Sequence, residues 1–209
     1  MTEQSEKVRV VAADFCAEFV KNPYLCYTEH GLHALFYTKL YNALTPEERY
    51  TEWAGHRVCV IQKEYPTARP LGKPRRQNWD IAMIKTPPEC LAGSQPSYDY
   101  LRLAAVVELG MNEAREHLED DLSRLCHADA NVENGFIIHL YRISGPEVQV
   151  SGRDWSPNSK RILTCEQVAE LAGGKAVEVF YGLADNTGTH PSGAWSIIDG
   201  NVQRIVYRR

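Results

Sequence analysis

The chain has 209 residues, 44% of them hydrophobic and 24% charged, with a formal net charge of −4. That length supports one domain with a full core, and the balance is that of a soluble globular protein rather than a disordered or fibrous one. The acidic balance does not favour a broad basic surface for nucleic acid, and no apolar run approaches the roughly 20 residues of a membrane helix. The N-terminal MTEQSEKVRV lacks the apolar core of a secretory leader, so a cytoplasmic location and no membrane partner are expected. The six cysteines, Cys16, Cys26, Cys59, Cys90, Cys126 and Cys165, show no C-x-x-C spacing. This argues against a cysteine zinc site and for reduced thiols.

Taken in order, residues 6–21 place Val8, Val11, Ala12, Phe15 and Phe19 at helical spacing, and Asn22-Pro23 ends the pattern. A second helix spans 29–44, with Thr28 as its N-cap. Thr45-Pro46 reads as a cap and first helical position, so a short helical turn leads to Trp53. Residues 57–64 form one strand, 65–77 a loop, 79–85 a strand, 86–98 a Pro-rich loop and 101–109 a strand. An acidic amphipathic helix follows at 113–127, then a strand at 136–143. A polar loop covers 151–160, a Thr-capped helix 164–172 and a strand 177–183. A hairpin at 195–207 turns at Asp199-Gly200. The order predicts an α/β fold with a central mixed sheet flanked by helices.

The stretch 78–112 carries the chemistry. Asp80 opens one apolar strand, and Glu108 lies deep in the next, in AAVVELGMN. A carboxylate in such a run is costly unless it is paired or holds a cation. Strand alternation puts Asp80 with Ala82 and Ile84, and Glu108 with Val106, Gly110 and Asn112, so pairing of the strands brings the two acids together. Both are candidate ligands for Mg²⁺ or Mn²⁺. Such an ion activates water and offsets the charge developing on phosphorus during phosphodiester hydrolysis.

The alternatives are structural. Asp80 would bond backbone, and Glu108 would pair with Arg57 or Arg142. Glu64 is a candidate third ligand or a solvated strand end, and Lys63 a candidate cation beside the site. His30 and His33 read chiefly as helix-packing residues, with a base or phosphate contact as the alternative, and His139 as a core histidine. Arg69, Lys73, Arg75 and Arg76 cluster with no intervening acid, as a clamp for DNA phosphates or a solvated loop. Phosphate-loop, dinucleotide, zinc-protease and serine-hydrolase motifs are missing.

Asp80 in NWDIAMI and Glu108 in AAVVELGMN, on strands framed by helices, resemble the PD-(D/E)xK nuclease family over about residues 29–143. The resemblance implies a restriction-endonuclease-like fold, magnesium-dependent cleavage of DNA, and often a homodimer. It also implies an acid from the leading helix, matched by Glu29, and polar residues from the helix after the second strand, here His117, Asp121 and Arg124. The family's lysine two residues after the glutamate is replaced by Gly110. Its role then passes to Lys63, Lys85 or Asn112, or the site works by metal alone, or catalysis is lost and a binding or assembly module remains. The expected organisation is a single α/β domain, with the nuclease-like core at 29–143 and an extension from about residue 145.

Overall fold

The computed structural model describes residues 2–91, 97–144 and 162–206. The polar loop expected at 151–160 lies outside them, as does part of the loop at 86–98. Helix α1 (Glu3–Lys21) starts at a reciprocal cap between Thr2 and Ser5. Helix α2 (Glu29–Ala43) starts where the Gly31 N–H donates to the Thr28 hydroxyl.

A single helical turn forms as expected after Thr45, whose carbonyl accepts the Arg49 N–H at 3.2 Å and whose own N–H donates to Glu48 at 2.8 Å, and it leads into a hairpin, β1 (Tyr50–Trp53) and β2 (His56–Cys59). Ala54 and Gly55 both take positive φ at its tip, as a tight two-residue hairpin turn requires. The single strand expected at 57–64 is divided. Strand β3 (Ile61–Pro66) belongs to a different sheet from β2. Val60 makes the hand-over: its N–H donates to Arg49 O at 3.0 Å, and its carbonyl accepts from Ile84 N at 2.8 Å. One residue thus bonds both to the turn before β1 and to strand β4 (Asn78–Ile84) of the other sheet, which a composition-based strand assignment cannot register.

Strands β4 (Asn78–Ile84), β5 (Leu103–Met111), β6 (Gly135–Ile143), β7 (Val177–Asp185), β8 (Gly193–Ile198) and β9 (Asn201–Arg204) join β3 in a seven-stranded sheet, in chain order. Strands β5, β6 and β7 are parallel and the other pairs antiparallel. Strand β5 runs two residues past its expected end because Gly110 and Met111 pair with His139 and Leu140. The sheet continues through β7–β9, past the boundary expected near residue 145. The final hairpin turns at Asp199 and Gly200, both with positive φ.

Helices α3 (Arg115–Leu125) and α4 (Cys165–Ala172) cover one face, where Leu118, Leu122 and Val168 pack with Ala82, Val106, Ile137 and Val179. Helices α1 and α2 cover the other, with Val8, Phe15, Phe36 and Leu40 against Ile81, Val107, Ile138 and Phe180. Burial on both faces explains why β5–β7 are almost continuously apolar. His139 is buried, and its Nε2 donates to the Tyr141 hydroxyl at 2.9 Å. All six cysteines are unpaired. No helix among the described residues is long and apolar enough to cross a membrane.

Helix α1 meets β7 at Gly182, where an added Cβ would stand 2.8 Å from Leu140 Cδ2 and 2.9 Å from Cys16 Sγ. Gly182→Ala should therefore destabilise the protein by about 1–3 kcal/mol, as read from urea unfolding. Unchanged stability would show that this helix–sheet contact yields freely.

Candidate metal centre

Strands β4 and β5 pair from Ile84↔Leu103 to Ile81↔Val107 and then part. Asp80 sits at this fork. Its Oδ2 accepts the Leu109 N–H at 2.8 Å, taking the place of a ladder carbonyl. Glu108 follows Val107 into the fork and is 2% exposed. Burial, and then the charge of Asp80, push the Glu108 carboxyl well above the usual range. Asp80 is also raised by burial, against the lowering effect of the Leu109 amide and His33. Two interacting carboxyls in a low-dielectric site titrate as a pair, because each charge disfavours the other.

The α2 side of the fork holds His33, 3% exposed. Its Nε2 lies 3.2 Å from Leu109 O, and since a carbonyl only accepts, Nε2 carries a proton. The same nitrogen is 3.7 Å from Glu29 Oε1 and 3.8 Å from Asp80 Oδ2. Burial opposes charge on this ring, but Glu29, Asp80 and the Leu109 carbonyl outweigh it and raise its pKa.

Glu64 completes the mouth of the fork. Ligand atoms of His33, Glu64 and Asp80 all lie within 4.8 Å of one another, which makes them a possible metal-binding triad. Glu64 has φ 54°, between the pairs Lys63↔Ile81 and Tyr65↔Trp79. A left-handed glutamate inside a strand is uncommon, and such outliers concentrate at functional sites. Lys63 Nζ lies 3.4 Å from Glu64 Oε1, at the same rim.

The α3 side holds Arg124, whose Nη2 lies 3.1 Å from Glu108 Oε1 and 2.7 Å from Asp121 Oδ1. Only the second contact is a hydrogen bond, so Glu108 Oε1 is buried with a charge beside it and no donor aimed at it. Arg124 therefore takes the place expected of Arg57 or Arg142. Arg57 lies over the Tyr50 ring at 3.9 Å, and Arg142 donates to the carbonyls of Pro23, Cys26 and Tyr27. His117 Nδ1 is 3.1 Å from Asp121 Oδ2, and this ion pair pushes the ring up to about 9 against the opposing effect of burial.

Other expected site residues lie elsewhere or are engaged. Lys85 pairs with Glu89 and Glu133, and the Asn112 side chain accepts Arg142 N–H at 2.8 Å. Glu29 reaches His33 rather than the acid pair directly. In the basic loop, Arg69 pairs with Asp129, Lys73 with Asp120 and Arg76 with Asp99, while Arg75 is exposed.

Sequence reasoning gave His33 and Arg124 no part in holding the two acids. The Glu29/His33 spacing of four places both on one helix face, but only the fold brings Asp80 to them. Arg124 sits at i+3 from Asp121 and is equally readable as a helix-surface pair.

The donor set suits a divalent cation: two carboxylates at the mouth, an imidazole beside them, and an orphaned acceptor on Glu108. A mixed oxygen and nitrogen set accommodates first-row ions such as Mn²⁺. Coordination through His33 Nε2 would move its proton to Nδ1, which is buried without a partner.

The His117–Asp121 pair makes a pH prediction. The folded ring titrates at about 9, against an ordinary 6.5. Its contribution is complete below the ordinary value and is lost as pH rises through the folded one. His117→Gln should therefore flatten the alkaline decline in unfolding free energy, and the parent ring should titrate near 9 by NMR. A midpoint near the ordinary value would contradict the pairing. No family model, curated protein or solved structure matches this chain, so the role of the centre is read from its geometry.

Proposed function

We propose that the protein hydrolyses phosphodiester bonds of DNA with a bound divalent cation, Mg²⁺ or Mn²⁺, on a restriction-endonuclease-like fold. The observation that carries this reading is the meeting of Asp80 and Glu108 in the β4–β5 fork, with Glu64 and His33 at its mouth. Buried acids in contact are unfavourable by themselves and become favourable around a cation.

Asp80 and Glu64 would hold the ion from the open side, with His33 beside them, and Glu108 would supply its orphaned oxygen from below. A bound ion supplies a polarised water and offsets charge on the phosphate. The Leu109 amide fixes the direction of Asp80. Arg124, anchored by Asp121, fixes Glu108. A cation competes with protons for these carboxylates, so affinity should rise with pH. Arg75 and the exposed Arg69 offer contacts to the sugar–phosphate backbone, which position a duplex without reading its sequence.

A second reading is a binding or assembly module that keeps the fold without the chemistry. Two observations favour it: Arg124 already faces Glu108, and three of the basic-loop cations are paired within the chain. The readings separate on one set of measurements. Under the first, the parent binds Mn²⁺ by calorimetry and cuts duplex DNA only with metal present, and Asp80→Asn and Glu108→Gln abolish cutting while remaining folded. Variants that cut as well as the parent would remove the assignment. Absence of binding at millimolar Mn²⁺ would favour the module.

A further inference from the structure

The acid pair and its ligand neighbours leave a second half of the site unaccounted for. Beyond Glu108 on the same strand face stands Gly110. The space is already filled. A Cβ on Gly110 would lie 3.1 Å from Glu113 Cγ and 3.7 Å from His117 Nδ1. His117 thus reaches down from α3 onto the position next to Glu108.

Its placement is electrostatically unusual. His117 lies in the first turn of α3, where the helix dipole disfavours a cation. Asp121, 2% exposed, holds it there at 3.1 Å, and Asp121 also anchors the Arg124 that faces Glu108. The charged groups around the ring are Asp121 from its own helix, Glu113 from the β5–α3 turn and Glu29 from α2, with neutral His139 on β6 behind. Nδ1 is committed to Asp121, while the side chain is 43% exposed. Nε2–H is therefore the donor available to a ligand.

We infer that His117 is a catalytic residue of this centre, its imidazolium Nε2–H donating to a non-bridging oxygen of the scissile phosphate from the Gly110 side. This rests on the phosphodiesterase reading. The reaction is a balanced hydrolysis. A water oxygen bonds to phosphorus as the bond from phosphorus to one ester oxygen breaks. The water gives up a proton to solvent, the departing oxygen takes one up, and no oxidant or reductant is needed. His117 keeps its proton and offsets the charge that builds on the phosphate.

The test compares Mn²⁺-dependent cleavage of a duplex oligonucleotide by the parent, His117→Gln and His117→Lys from pH 6 to 10.5, with Mn²⁺ affinity and unfolding measured for each. The expected result is a kcat about 100-fold lower in His117→Gln at unchanged Mn²⁺ affinity. His117→Lys should retain most of the rate, with its alkaline limb displaced above that of the parent. Parent-like cleavage by folded His117→Gln overturns the role of His117 and leaves the metal centre standing. Loss of Mn²⁺ affinity in His117→Gln also overturns it, by making the residue part of the ion site. A parent that binds no Mn²⁺ and cuts nothing removes the phosphodiesterase reading, and this inference with it.

Discussion

The parting of β4 and β5 beyond Ile81↔Val107 is the constraint on which the rest of the structure depends. Had the ladder continued, Asp80 and Glu108 would be ordinary cross-strand neighbours with like charges opposed, a destabilising arrangement. The fork instead lets Asp80 satisfy the Leu109 amide with its side chain and reach His33 on the α2 face. Glu108 meets Arg124 on the α3 face. Each acid of the pair is therefore restrained by a different layer.

That arrangement ties stability to electrostatics. Glu108 and Asp121 are both buried, with Arg124 as the cation between them. Removing one member of such a set leaves an uncompensated buried charge, which commonly costs about 3–5 kcal/mol. The same low dielectric that raises the Glu108 carboxyl makes any cation placed beside it more strongly bound. Asp121 extends the network to His117, so one buried carboxylate orients both the guanidinium facing Glu108 and the imidazolium over Gly110.

Much of the fold was legible from periodicity. The caps at Thr28 and Thr164, the apolar runs of β5–β7 and the Asp199-Gly200 turn all act within a few residues, and local chemistry decides them. The break at Val60 was not legible, because what divides β2 from β3 is a pair of hydrogen bonds to Arg49 and Ile84, distant in sequence. The centre divides in the same way. Asp80 and Glu108 announced themselves as acids in costly surroundings. His33, Arg124 and the unusual backbone of Glu64 became visible only when the layers were assembled. The basic run at Arg69–Lys73–Arg75–Arg76 is legible as a charge cluster, yet Asp120 in the middle of α3 and Asp129 beyond its end pair with two of its members. Pattern along the chain gives charge; only the fold gives its partner.

A cation in the β4–β5 fork is tested most directly by a crystal structure of the protein grown with Mn²⁺, with anomalous scattering recorded to locate the ion. The expected result is a peak bonded to the Asp80 carboxylate, with Glu64 or His33 in its coordination shell and Glu108 turned toward it. A map with no peak at millimolar Mn²⁺, and with Glu108 still facing Arg124, would contradict it.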